Sequence, residues 1–379
     1  MMLNKYDYGH HPRRESKGAM MLVSVSLLLV IASLVTVHTG RVKSLEHKIL
    51  LNSQNQALSS AAAQGGLAHG MSLMQSDVIW QGEEHNITFS NNARAIVSAQ
   101  FNPFQRNGLN TQWATIESAG LSADGQSRHQ VSEQVLRYPF LHIIPPVPLI
   151  SAVDIPSDLR FVLGANPNAG GNGVPVSIWT DKTLSAIDVD SRTCALQIFD
   201  ENRCALDMYS NNTNLGIDTL QEHEGFPADV LEYLFNIPVP DWHILKSEVS
   251  LIAADCEPLT IADTRVIWIQ GECRLEIGQQ IGSIDTPIML ILADSALLMP
   301  EDSQIFGLVI YLSTQNPPNA KRIAMAASAQ LNGALVLLSP IDAALSQLAI
   351  RYQLNVLTQL HQDADMQRIG KISGSWRDF

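Results

Sequence analysis

The chain has 379 residues, with 24 Lys and Arg against 37 Asp and Glu, for a formal charge of −13. That balance argues against a nucleic-acid partner, because neutralising phosphates needs clustered basic side chains. Charged residues make up only 16% of the chain while apolar ones reach 46%, and disorder requires the opposite combination, so a folded protein is expected. All cysteines lie between positions 194 and 273, which excludes both a disulfide-dense miniprotein and an N-terminal lipoprotein.

Residues 19–39 form 21 consecutive positions without Asp, Glu, Lys or Arg. About 20 helical residues cross a bilayer's hydrocarbon, so the run has membrane-spanning length. The alternative is a cleaved secretory signal, whose apolar part is about 7–15 residues and ends in a small-x-small site. No such site follows the run here. Lys5, Arg13, Arg14 and Lys17 precede it, and Arg41, Lys43 and Lys48 follow it, so the positive-inside comparison favours a cytoplasmic N-terminus by a narrow margin. Beyond the run, Val42, Leu45 and Ile49 keep helical spacing, and 51–63 contains neither Pro nor Gly. Gly65, Gly66 and Gly70 weaken the pattern without ending it. A helix from 19 to about 75 would be roughly 85 Å long, and its outer half would need a packing partner.

Lys17-Gly18 followed by Ala19-Met20-Met21-Leu22-Val23, the apolar run and the Ala-rich continuation together resemble the type IV pilins and pseudopilins. The resemblance implies a leader of residues 1–18, cut between Gly18 and Ala19 by a prepilin peptidase that methylates the new N-terminus. Two positions depart from the family pattern. The first mature residue is Ala19 rather than Phe or Met, and the fifth is Val23 rather than Glu. A missing fifth-position Glu is similar to PilX-type minor pilins and to the large GspK-type tip pseudopilins.

After the helix, Ala93 to Phe101, Gln112 to Glu117 and Gln130 to Phe140 alternate apolar and polar residues between turn formers, and read as strands of an antiparallel sheet over the outer half of the helix. The prolines of 143–150 make an extended connector. The stretch to 250 is less regular, with strands expected at Leu159 to Leu163 and Val174 to Thr180 around the glycine-rich segment 164–173. That segment fits neither the dinucleotide nor the Walker spacing and reads as a surface turn. Phe226-Pro227 is expected to open a short helix to Phe235, with Asp229 in its first turn.

Residues 256–340 hold the clearest internal order. Gln304 to Ser313 aligns position for position with Gln330 to Ser339, sharing Gln, Gly, Leu and Ser. Two further apolar runs lie upstream, from Val266 to Gly271 and from Pro287 to Ala293. Continuous apolar strands at such even spacing predict either a short β-solenoid or a parallel or mixed sheet buried on both faces. The strand starts Ile305-Phe306-Gly307 and Leu331-Asn332-Gly333, with the ending from Ser373 to Phe379, also resemble the PilX-type group.

Four cysteines allow three pairings, two of which close long loops across the expected subdomain junction. Nearest-neighbour pairing, Cys194 with Cys204 and Cys256 with Cys273, closes two short loops instead and is expected in an oxidising compartment. No nucleophile elbow or helical metal-binding His pair occurs, so no catalytic residue, metal or cofactor is expected. His361, Asp363 and Asp365 form the densest ligand-like cluster, with Asp188 and Asp190 next, and both read as solvated surface.

The expected fold class is α+β: leader 1–18, transmembrane and extended helix 19–77, antiparallel β region 78–145, irregular α/β region 146–250, solenoid-like region 251–340, and C-terminal helix and tail 341–379. The resemblance implies a non-enzymatic minor pilin in the inner membrane with a periplasmic C-terminal region. Its partners would be other minor and major pilins and the prepilin peptidase, with no nucleic acid. A filament-displayed adhesin with an unknown surface ligand, a secretion tip pseudopilin and an anchored envelope hydrolase are the alternatives.

Overall fold

The structure is a computed structural model and describes residues 17–77, 80–106, 109–165, 176–184, 187–260, 265–342 and 346–379. A single helix, Lys17–Ser76, takes up the apolar run and its continuation; its 60 residues extend about 90 Å at the standard rise. The two halves of the helix have different surroundings. From Met20 to Gln54 every residue is exposed, whereas Ser59, Ala63, Gly66, Leu67, Gly70 and Met74 are buried along one face.

An antiparallel sheet covers that face. His85–Thr88, Arg94–Arg106, Leu109–Leu121 and Arg128–Pro139 pair in chain order. The strands expected here are present and longer than the alternation suggested. Their inward row, with Val97, Ile116 and Val135, packs on the helix, so the outer half is solubilised by one sheet face. Small residues set how closely the two layers approach. A Cβ on Gly66 would fall 2.7 Å from Ala95 Cβ, and one on Gly120 would fall 2.0 Å from the carbonyl oxygen of Ser59 in the helix backbone. The helical glycines therefore cost propensity but permit contact. At the end of the helix the buried Arg137 donates from Nη1 to Met74 O at 3.1 Å, placing a cation against the negative end of the helix dipole.

The same sheet is completed from the far end of the chain. Gln367–Lys371 and Arg377–Asp378 both pair antiparallel with Arg128–Pro139. Only a helix and tail were expected beyond 341. The helix is present as Leu354–Gln362, and the strands after it are too short to show an apolar alternation.

The rest of the chain is mostly β. Leu251–Ala253, Val266–Ile269, Ile288–Ala293, Gln304–Leu312 and Gln330–Leu337 pair in that order, all parallel. The register sets Gln304 opposite Gln330 and Gly307 opposite Gly333, the same correspondence that relates the two copies of the sequence repeat. Alternate residues point to two cores. Ile267, Leu290, Val309 and Leu335 face one, while Trp268, Ile291, Ile310 and Val336 face the other, where Leu231, Leu234, Leu245 and Leu357 from the helices cover them. Burial on both faces explains why these strands read as unbroken apolar runs.

The less regular middle of the chain extends this sheet. Leu149–Ser151 pairs parallel with Gln330–Leu337, and Arg160–Ala165 pairs parallel with Gln347–Arg351. Of the expected strand from Val174, the described part is Ile178–Thr180; residues 166–175, with most of the glycine-rich segment, lie outside the described residues. The short helix starts later than expected, at Val230–Phe235. Asp229 is extended and accepts from Glu232 N at 3.0 Å and from Val239 N at 2.7 Å. It is therefore the N-cap, and Pro227 precedes the helix.

Cys194 is bonded to Cys204 and Cys256 to Cys273. The first bond closes the turn after Arg192–Ala195 over the buried Phe199, and the second holds the chain next to Leu251–Ala253 against Cys273–Arg274. Each closed loop contributes on the order of 2–3 kcal/mol by limiting the unfolded chain.

Candidate functional site

The first half of the helix is the part of the structure left without a covering layer. Met20, Leu22, Val23, Leu27, Leu28 and Leu34 all stand with more than half of their surface exposed. In water such a surface would be strongly unfavourable, at roughly 25 cal/mol for each Å² of apolar area. Its polar groups are closed off locally. Ser24 Oγ donates to Met21 O at 2.9 Å, Ser33 Oγ to Val30 O at 2.8 Å, Thr36 Oγ1 to Ala32 O at 2.6 Å and Thr39 Oγ1 to Val35 O at 2.8 Å. Ser26 Oγ donates to Leu22 O in the same way. These five hydroxyls thus point back to carbonyls of their own helix, as a hydrocarbon surrounding favours, and the exposed imidazole of His38 near the end of the run is the polar side chain they leave. The helix is long and apolar enough to cross a membrane. Arg41, Lys43 and Lys48 then mark the return to charged sequence.

Gly18 and Ala19 lie in the first turn of this helix, and the leader up to residue 16 lies outside the described residues. Val23 projects freely, 66% exposed, and no described element covers it. The four cysteines are far along the chain in the C-terminal β body and take no part in this surface.

The acidic clusters have other partners. Asp363 pairs with Arg265 at 3.1 Å, and its side chain also accepts from Asp365 N at 3.0 Å to cap a short turn. His361 is buried with Nδ1 donating to Leu141 O at 2.7 Å. Asp188 and Asp190 lie 3.6 and 3.8 Å from Arg160. Among the described residues no group of three or more His, Cys, Asp or Glu converges as a metal site.

His361 and His142 mark the seam between the two sheets. His142 donates its backbone N–H to Leu234 O at 2.7 Å, and Phe140 donates to Met366 O at 2.6 Å. His142 lines a groove of about 480 Å³ with Tyr138, Phe140, Phe235, Glu248 and Arg368, where Arg368 and Glu248 pair at 2.6 Å. Burial pushes both imidazoles below the ordinary range, His142 further through its neighbour His361, although the Leu141 carbonyl partly offsets the effect at His361. A lowered folded value means the unfolded chain binds protons first. The stability these neutral rings support is therefore present above about pH 6.5 and is lost as the pH falls below it. Urea midpoints of the full chain in micelles should fall between pH 7 and pH 5, and His361→Gln should flatten that slope. A slope identical in the variant would remove His361 from the account.

The signal for helix docking was present in the sequence as a stripe of small residues, Ser59, Ala63, Gly66 and Gly70, at helical spacing. Only the facing Gly120 and Ser118 show what the stripe is for. No family model, curated protein or solved structure matches the chain.

Proposed function

We propose that this chain is a minor pilin-like structural subunit of a type IV pilus, held at or near the tip and helping to prime filament assembly. The observation that carries the reading is the division of one helix into an uncovered apolar half with self-bonded hydroxyls and a half docked under an antiparallel sheet. The first half would sit in the inner membrane and later among the helices of neighbouring subunits. The second half carries the periplasmic body, whose parallel strands we read as turns of a short β-solenoid because successive registers repeat the same stacking. Its partners would be other minor and major pilins and the prepilin peptidase, and the role is assembly rather than catalysis. The two disulfides suit an oxidising compartment on that side of the membrane.

The reading requires processing. Mass spectrometry of the membrane form should give a chain that starts at Ala19 with a methylated amine. An intact residue 1, or a start near residue 40, would overturn it.

A further inference from the structure

Two histidines that no sequence motif links meet where the helix passes the first strand. His69 lies on the helix and His85 opens His85–Thr88, and both side chains are exposed. Their ring centroids are 6.1 Å apart and the planes are inclined by 50°. With a metal–nitrogen bond of about 2.0–2.1 Å, a ring centre sits about 3.2 Å from the metal, so two rings on one ion stand about 5.2–6.4 Å apart between tetrahedral and linear angles. The observed 6.1 Å lies nearer the linear limit, and closing to the roughly 5.2 Å of a tetrahedral ion needs rotation of the two exposed side chains rather than backbone movement.

The scaffold behind the pair is rigid. His69 precedes Gly70, where an added Cβ would fall 2.7 Å from Val97 Cγ1, and Val97 is the strand partner of His85. Trp80 is 6% exposed, stands edge-on to His85 at 6.4 Å and to Phe101 at 5.8 Å, and donates from Nε1 to Glu83 O at 3.1 Å. The helix and the strand are thus fixed relative to each other through backbone packing, while both imidazoles remain reachable from solvent.

We propose that His69 and His85 form a bis-imidazole site for a borderline divalent cation of the Zn²⁺ or Cu²⁺ class, which clips the helix to the first strand. Imidazole nitrogen suits these ions. No third His, Cys, Asp or Glu converges among the described residues, so water completes the coordination. Binding confined to the folded chain stabilises it, and it weakens in acid because the ligand must be deprotonated.

The test uses the untagged full chain in detergent micelles after chelator treatment. Zn²⁺ should raise the melting temperature, and Cu²⁺ should quench part of the tryptophan fluorescence through Trp80. His69→Asn and His85→Asn, at two separate exposed positions, should each weaken Zn²⁺ binding by an order of magnitude or more while melting like the parent without metal. Trp80→Phe should remove the quenched component and leave Zn²⁺ binding in place. Parent-like Zn²⁺ affinity in both histidine variants, or no saturable binding by the parent, would overturn the proposal. The outcome is independent of whether the chain is a pilin.

Discussion

Gly333→Ala is expected to destabilise the C-terminal body strongly, and Gly307→Ala to do nearly the same. Both glycines sit at positive φ, 151° and 149°, in strands that change partner at that point. Gln304 and Ile305 pair with Gln280 and Ile281, whereas Gly307 to Leu312 pair with Ile288 to Ala293. The chain turns a corner at the glycine, and the next strand turns the same corner one layer on. A Cβ on Gly307 would lie 1.8 Å from Ile288 O, and one on Gly333 would lie 1.8 Å from Gly307 O. The obstacle is backbone already engaged in a parallel ladder, so it cannot move as a flexible side chain would. An unfavourable φ costs about 1–3 kcal/mol, and overpacking typically adds about 1–3 kcal/mol more. Against a total of about 5–15 kcal/mol, such a loss removes a large share of the stability. Gly125→Ala is the control, with φ of 71° but nothing within 4 Å of the added atom, and should incur the φ cost alone. Denaturant midpoints and limited proteolysis separate the two cases. A Gly333→Ala protein as stable as the control would mean that the strands do not bend at this point.

That corner also shows which features could be read from the sequence. The repeat of Gln304 to Ser313 in Gln330 to Ser339 was legible because equivalent positions in stacked parallel strands face the same surroundings, so Gln, Gly and Leu recur in register. The antiparallel strands were legible because one face meets the helix and the other does not. Pairing between distant segments was not. Leu149–Ser151 and Gln367–Lys371 are short, and their partners lie far away in sequence, so neither carries a local signal for where it docks. Asp229 was placed in a helix that it instead caps, because the residue pattern did not reveal that its carboxylate also holds Val239 N. At the helix surface the apolar run was plain, while Gly66 and Gly70 read as weaknesses until the strands behind them were placed.

If the chain is the minor pilin proposed above, Val23→Glu is expected to change where it sits in the filament. In the family this chain resembles, the fifth-position Glu of an incoming subunit neutralises the N-terminal amine of the subunit already in place. That amine lies among apolar helices, where an unpaired charge costs several kcal/mol, by the order of magnitude for a buried ion. Val23 supplies no carboxylate and projects from the helix 66% exposed, with no described element of its own chain to take over that role. For the proposed minor pilin, entry beneath another subunit would therefore be disfavoured, while starting a filament carries no such requirement. On this account, deleting the protein lowers filament number more than filament length. Antibody raised against 151–379 should label the wild-type protein at filament ends and the Val23→Glu protein also along the shaft. Wild-type labelling that is uniform along the shaft, at the density of the major subunit, would sink the tip assignment.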